Sequence, residues 1–246
     1  MANAALAVLE SALRAKKLDR TLTTALPPLD RTDAAACVPT GVSRLDACLR
    51  GGFPRGQLSE IAGPRSSGRT TLVLSALAAA TRRGEIAALV DTFDRLDIAS
   101  VMAAGADLDR LLWVRGDTTG QSAALVDRAV DRALKAANLV LQAGGFGVVA
   151  IDLADVPLIA LKRIPFTTWL RIQRIVEGSD TACVLLVPQP LARSAGGVTL
   201  TLGATAAWAG NSDRSRRLDG LDVDTRIISP RRKVQGDVRV RCGTRS

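Results

Sequence analysis

This chain of 246 residues contains no histidine and only four cysteines. Without histidine it cannot build a catalytic triad on a histidine base, and it lacks the commonest metal-ligating side chain. The cysteines are widely spaced and form no C-x-x-C pattern, which argues against a zinc site and against a disulfide framework. We therefore expect a protein of a reducing compartment that holds no transition metal.

Long apolar runs are also missing. No segment approaches the roughly 20 consecutive apolar residues that a membrane-spanning helix needs. The first residues lack the charged stretch and apolar run of a secretion signal. We expect a cytoplasmic protein with no membrane partner, and its length suffices for one domain with a sizeable core.

Positive charge is in excess, with 33 Lys and Arg against 24 Asp and Glu, a net charge of +9. From Ala206 onward ten positive and five negative side chains contribute +5 of that excess. Such a balance attracts polyanions and predicts contacts with DNA, single-stranded DNA in particular, although Trp208 is the only stacking residue nearby. A solvated basic tail or a surface for an acidic protein is the alternative. The predicted DNA-binding residues are Arg193, Arg216, Arg217, Arg231, Arg232, Lys233, Arg239 and Arg241.

The most informative stretch runs from Gly63 to Thr71 and has the spacing of a phosphate-binding P-loop, G-x-x-x-x-G-K-[ST], with Arg69 in place of the lysine. In that pattern backbone N–H groups surround a phosphate and a hydroxyl holds Mg²⁺. An arginine is bulkier than a lysine and directs its charge differently. We therefore expect the site to bind ATP and Mg²⁺ but to hydrolyse ATP poorly. A glycine- and serine-rich turn before an ordinary helix is the alternative. The predicted nucleotide-binding residues of the loop are Gly63, Ser66, Ser67, Gly68, Arg69, Thr70 and Thr71.

Apolar segments typical of strands alternate with helical patterns along the chain, which predicts an α/β fold with a mostly parallel twisted sheet flanked by helices. Predicted strands are 58–62, 86–90, 111–114, 146–151 and 182–187, and predicted helices are 70–81, 97–104, 121–141 and 165–176. Residues 226–228 and 238–241 are predicted to pair as a hairpin with arginines on one face.

Three segments are predicted: 1–36 as an N-terminal helix and linker, 37–205 as the P-loop core, and 206–246 as a basic C-terminal extension. The N-terminal helix, from Ala4 to Lys17, has an apolar stripe that must be buried. It is expected to pack on its own core or on a neighbouring molecule, so self-association remains open.

The stretch from Thr40 to Thr71 reads T-G-x-x-x-L-D-x-x-L-x-G-G-x-P-x-G-x-x-x-E-I-x-G-P-x-S-S-G-x-T-T and resembles the RecA family of DNA-recombination ATPases. The resemblance implies a RecA-like fold and places Asp152, at the end of an apolar strand, where an aspartate works with Thr70 to hold Mg²⁺. It also places Gln189 where a glutamine senses the γ-phosphate. A capping carboxylate and an ordinary polar residue after a strand are the alternatives for these two positions.

Phe93 stands where the family's catalytic glutamate is expected, and phenylalanine cannot accept a proton. Asp91 and Asp94 could substitute for that base from another direction. The chain therefore resembles a degenerate P-loop ATPase, and the short region between Asp152 and Pro165 leaves little room for a recombinase DNA-binding loop.

Within the wider family the chain most resembles the ImuA-type accessory proteins of bacterial damage tolerance, on the residues Leu111–Arg115, the Gly51–Gly56 turn and the altered ATP site. That resemblance implies SOS-type mutagenic translesion synthesis beside an ImuB-like adaptor and an error-prone DnaE-type polymerase, with RecA as a further candidate partner. An active DNA-dependent ATPase of the recombinase class is one alternative. A purely structural adaptor with a relic nucleotide site is the other.

Overall fold

The computed structural model describes residues 36–117, 122–192, 196–210, 215–229 and 234–243. The predicted N-terminal helix and almost all of its linker lie outside these ranges. So do Arg193, Arg231, Arg232 and Lys233, which were predicted to contact DNA.

Strands and helices alternate through most of the described chain, as the apolar pattern predicts. The strands are β1 (Cys37–Val38), β2 (Phe53–Pro54), β3 (Gln57–Ala62), β4 (Ile86–Asp91), β5 (Leu111–Arg115), β6 (Phe146–Asp152), β7 (Ala182–Val187), β8 (Thr199–Ala209), β9 (Arg217–Ser229) and β10 (Val234–Gly243). The α-helices are α1 (Ser43–Cys48), α2 (Arg69–Arg82), α3 (Ile98–Ala103), α4 (Ala123–Ala143), α5 (Leu158–Arg163) and α6 (Phe166–Val176).

Eight strands form one sheet in the order β10-β9-β8-β3-β7-β6-β4-β5. Strands β8, β3, β7, β6, β4 and β5 are joined by parallel pairings. The β8–β9 and β9–β10 pairings are antiparallel. The prediction of an α/β fold with a mostly parallel central sheet flanked by helices is therefore confirmed.

The sheet is covered on both faces. On one face a buried cluster joins it to α2, as with Leu77 and Ala80. On the other face a second cluster joins it to α4 and α6, as with Val130 and Ile172. Because β7 lies between these layers, all six of its residues are buried, which is why its sequence reads as an unbroken apolar run.

The C-terminal strands extend this same sheet. The two segments predicted to form a hairpin do lie on neighbouring antiparallel strands, but in a different register: 226–228 pair with 235–237, and 238–241 pair with 222–225. The predicted segment boundary between residues 205 and 206 falls inside β8, which pairs with β9 on both sides of it. The division of the chain into segments stays a prediction. In the described part of the chain, no helix has both the length and the apolar character required to cross a bilayer.

Candidate nucleotide-binding site

The predicted P-loop connects the end of β3 to the start of α2, at the carboxyl edge of the parallel strands. Its two glycines are required by geometry. A Cβ atom on Gly63 would lie 2.5 Å from the carbonyl oxygen of Leu202, and Gly68 has a left-handed φ of 88°. The loop therefore has the tight backbone course that its sequence pattern demands.

The N-terminus of α2 is open to an anion. Gly68 is the N-cap residue and offers no side chain to the first turn, so the backbone N–H groups there lack a side-chain cap. The Ser67 hydroxyl is buried and has no hydrogen-bond partner among the described residues, which in a folded protein calls for an explanation. Thr70 and Thr71 are exposed beside it. This arrangement fits the phosphates of a nucleotide.

Arg69 reaches from the start of α2 to the ends of two neighbouring strands. Its side chain is buried, with the residue 6% exposed, and its Nη1 atom donates to the carbonyl oxygen of Val187 at 3.0 Å and to that of Ala154 at 3.3 Å. Burial lowers the pKa of the Arg69 guanidinium, and the negative charges of Asp152 and Asp155 oppose that shift. The guanidinium is thus anchored at the carboxyl ends of β6 and β7.

Asp152 ends β6 and lies on the same side of the site. Its Oδ1 atom accepts a hydrogen bond from the Ala154 N–H at 2.8 Å. Burial raises the pKa of Asp152 to about 6, and the neighbouring Asp91 and Asp155 also raise it, against the Ala154 N–H and Arg69. A cavity of about 260 Å³ brings part of the predicted site together, and its lining includes Arg65, Ser66, Arg69, Thr70, Asp91, Asp152 and Asp155.

The two candidate replacement bases already have hydrogen-bond donors. Asp91 is buried, and its Oδ2 atom accepts from the Leu96 N–H at 2.8 Å and from Trp113 Nε1 at 3.2 Å. Asp94 makes a two-point ion pair with Arg115, at 2.8 and 2.7 Å, which lowers the pKa of Asp94. Both carboxylates therefore hold the segment that follows β4 against β5.

Phe93 and Gln189 do not converge on the cavity. Phe93 packs against the buried cluster on the α4 face of the sheet. Gln189 is exposed just beyond β7 and, of the residues described, it is not among those that line the cavity. The two positions that the RecA resemblance assigns to water activation and phosphate sensing are thus outside the pocket that holds Asp152.

Sequence reasoning missed Glu60, a charged residue within the apolar strand β3. It is fully buried, and its Oε1 atom accepts from the backbone N–H groups of Leu191 and Ala192, both at 2.7 Å. It therefore fixes the start of the chain that follows β7 and Gln189. A lone carboxylate inside a buried strand was the available signal.

The predicted DNA-binding residues that the structure describes lie on β9, on β10 and just before β9. Arg239 pairs with Asp224 and Arg241 with Asp219, both at 2.6 Å, so this exposed face alternates positive and negative groups. The Arg216 guanidinium lies over the ring of Trp208, 5.4 Å from its centroid. Arg217, at the start of β9, is exposed.

The profile of the RecA N-terminal domain family matches residues 15–153. Protein RecA of Clavibacter michiganensis subsp. michiganensis is 40% identical over 124 residues, which are 50% of this chain and 31% of that relative. Protein RecA of Salinispora tropica is 42% identical over 118 residues, 48% of this chain and 31% of the relative. Protein RecA of Prochlorococcus marinus (strain MIT 9303) is 44% identical over 92 residues, which are 37% of this chain and 24% of the relative. The matches thus span only 24% to 31% of the length of these relatives.

Proposed function

Because this chain belongs to the RecA N-terminal domain family, we propose that it is a DNA-repair protein that has given up efficient ATP hydrolysis. In this proposal it serves as an accessory protein of mutagenic, SOS-type translesion synthesis. It binds DNA, or a complex of an ImuB-like adaptor with an error-prone DnaE-type polymerase, or both. A nucleotide bound at the P-loop acts as a structural ligand and is turned over slowly or not at all.

The direction of the Arg69 side chain carries this proposal. In a hydrolysing P-loop the basic residue reaches the β- and γ-phosphates, whereas the Nη1 atom of Arg69 bonds to the carbonyl oxygens of Val187 and Ala154. A guanidinium held in this way is not free to follow the charge that develops on a transferring phosphoryl group. In this proposal the loop still binds phosphate, but Arg69 does not stabilise the transition state of hydrolysis.

The residues at the expected position of the catalytic base support the same conclusion. Phe93 cannot accept a proton and packs against the α4 side of the sheet. Asp91 and Asp94 are engaged by Trp113 and Arg115. ATP, when bound, would supply an anionic phosphate chain, which we expect Gly63, Ser67, Gly68, Thr70 and Thr71 to hold.

The test is ATP hydrolysis by the purified chain with and without single-stranded DNA. We expect turnover near background under both conditions. An Arg69→Lys variant shows whether a lysine revives the site, and Arg128→Lys, the same change at an exposed position of α4 that does not line the cavity, is the matched control. Strong DNA-dependent turnover by the unmodified chain would overturn the proposal in favour of an active ATPase of the recombinase class.

The accessory role is tested separately, by mixing the chain with a purified ImuB-like adaptor, with a DnaE-type polymerase, and with single-stranded DNA. Fluorescence anisotropy and size-exclusion chromatography report binding. The net charge of +9 supports DNA contacts and predicts that such binding weakens as salt rises. Absence of binding to all three partners would reject the accessory role, whatever the nucleotide site does.

A further inference from the structure

A positive charge is built into the side of the site where a divalent cation would bind. The Arg69 guanidinium donates to the carbonyl oxygen of Ala154, and the N–H of that same residue donates to the Asp152 carboxylate. A cation therefore contacts the turn after β6 through the Ala154 carbonyl oxygen, while Asp152, the last residue of β6, supplies an anion. Asp155, three residues after Asp152, lines the same cavity.

The arrangement fits phosphates better than it fits Mg²⁺. The glycines of the loop, the uncapped first turn of α2 and the unpartnered Ser67 hydroxyl all suit an anion. A divalent cation shared by Thr70 and Asp152 would instead lie in a cavity of about 260 Å³ that Arg69 also lines. Two like charges in so small and partly buried a space repel strongly.

Arg69 cannot simply swing aside to admit the ion. Its Nη1 atom has two carbonyl partners, one at the end of β7 and one after β6. Moving the guanidinium would leave both oxygens without this donor and would leave a buried cation without partners, which is costly. The guanidinium carries five N–H donors, so it can keep these bonds and still face an anion with its other nitrogens.

We propose that Arg69 replaces Mg²⁺ in this site, so that the chain binds nucleoside di- or triphosphates in their metal-free form. The inference rests on the nucleotide site of the proposed function and specifies its ligand. The guanidinium offsets the charge of Asp152 and Asp155 from within the protein, and the loop and the first turn of α2 hold the phosphates. A site of this kind retains its ligand when divalent cations are removed.

The experiment is titration calorimetry of the full chain with ADP, once in MgCl₂ and once in EDTA. For the unmodified chain we expect the two dissociation constants to agree within about twofold. For Arg69→Lys, whose shorter ammonium vacates the space beside Asp152, we expect Mg²⁺ to tighten binding by about tenfold or more. Arg128→Lys is the matched control and should behave as the unmodified chain, because Arg128 is an exposed residue of α4 and is not among the residues that line the cavity.

Three results would overturn the inference. One is an unmodified chain whose affinity for ADP falls about tenfold or more in EDTA. Another is no detectable binding of ADP under either condition. The third is an Arg69→Lys variant whose affinity for ADP is as insensitive to Mg²⁺ as that of the unmodified chain. Arg69 would then not be the reason that the site binds ADP without Mg²⁺. If that variant fails to fold, as judged by its melting curve, the ADP affinities of the unmodified chain in MgCl₂ and in EDTA still test the proposal. DNA and partner binding are measured apart, so the accessory role stands or falls independently.

Discussion

The Arg69 guanidinium and the Val187 carbonyl oxygen are joined by a hydrogen bond of 3.0 Å that links the first residue of α2 to the last residue of β7. These two residues are 118 positions apart in the sequence. Because the guanidinium is buried, the bond matters both for stability and for what the P-loop can do. A lysine here could not supply the same planar fork of donors.

Removing these donors should destabilise the fold. Arg69→Met keeps an unbranched side chain in place but leaves the Val187 and Ala154 carbonyls without this donor and Asp152 without its nearby cation. We expect the free energy of unfolding to fall by about 1–3 kcal/mol, as measured by urea denaturation. Arg65→Met, at a side chain that is 83% exposed, should change it by less than about 0.5 kcal/mol. Equal effects of the two substitutions would contradict the role assigned to Arg69.

Glu60 should control the order of the chain after β7. Glu60→Ala strips the backbone N–H groups of Leu191 and Ala192 of their acceptor, so we expect a loss of about 2–3 kcal/mol in unfolding free energy. Hydrogen exchange of the Glu60→Ala variant, compared with the unmodified chain, should be accelerated more at these two amides than at amides within β4. Glu177→Ala, at an exposed carboxylate after α6, is the control and should leave their exchange unchanged. Unaltered protection at Leu191 and Ala192 in Glu60→Ala would disprove this role.

Asp152 should make stability depend on pH in a particular direction. Burial raises its pKa from 3.8 to about 6, so between those values the folded chain binds more protons at this residue than the unfolded chain does. Its contribution to stability is therefore largest below about pH 4 and is lost as pH rises through 6. We expect the unfolding free energy of Asp152→Asn, relative to that of the unmodified chain, to rise by up to about 2 kcal/mol from pH 4 to pH 7.5. Urea denaturation at both pH values measures this gain, and an equal difference at the two would refute the assignment.

Neither Asp91 nor Asp94 should act as a catalytic base. Asp94→Ala removes an ion pair with Arg115, and we expect background ATP turnover to remain as it was, with or without single-stranded DNA. Asp91→Ala removes the acceptor of Leu96 and Trp113 and should lower the unfolding free energy by about 1–3 kcal/mol, with no change in turnover per folded molecule. A variant that abolishes a measurable DNA-dependent turnover would point to that carboxylate as the base.

The exposed arginines should differ in their contribution to DNA binding. Arg239 already pairs with Asp224, whereas Arg217 is exposed at the start of β9. We expect Arg217→Gln to weaken binding of single-stranded DNA for all sequences and to reduce the slope of log affinity against log salt by about 1. Arg239→Gln should reduce that slope by less than half as much. Fluorescence anisotropy across a salt series makes the comparison, and equal slopes for both variants would count against it.

Local patterns in the sequence determined the elements and the loop. The unbroken apolar run 182–187 could only be a strand covered on both faces, and it is β7. The spacing of Gly63 and Gly68 predicted a phosphate-binding turn before a helix, and the helix predicted over 70–81 is α2, from Arg69 to Arg82. These features depend on neighbours in the chain, which is why periodicity and backbone freedom suffice to predict them.

Tertiary structure alone decided what the site's side chains do. The sequence shows an arginine in place of a lysine, but only the meeting of α2 with the ends of β6 and β7 turns Arg69 onto two carbonyls. The sequence shows Phe93 and Asp94, but the packing of β4 between β5 and β6 sends one to the α4 cluster and the other to Arg115. Glu60 finds its partners 131 and 132 residues away. Hydrogen bonds act over about 3 Å, and which distant groups come that close is set by how the sheet assembles, not by any local pattern.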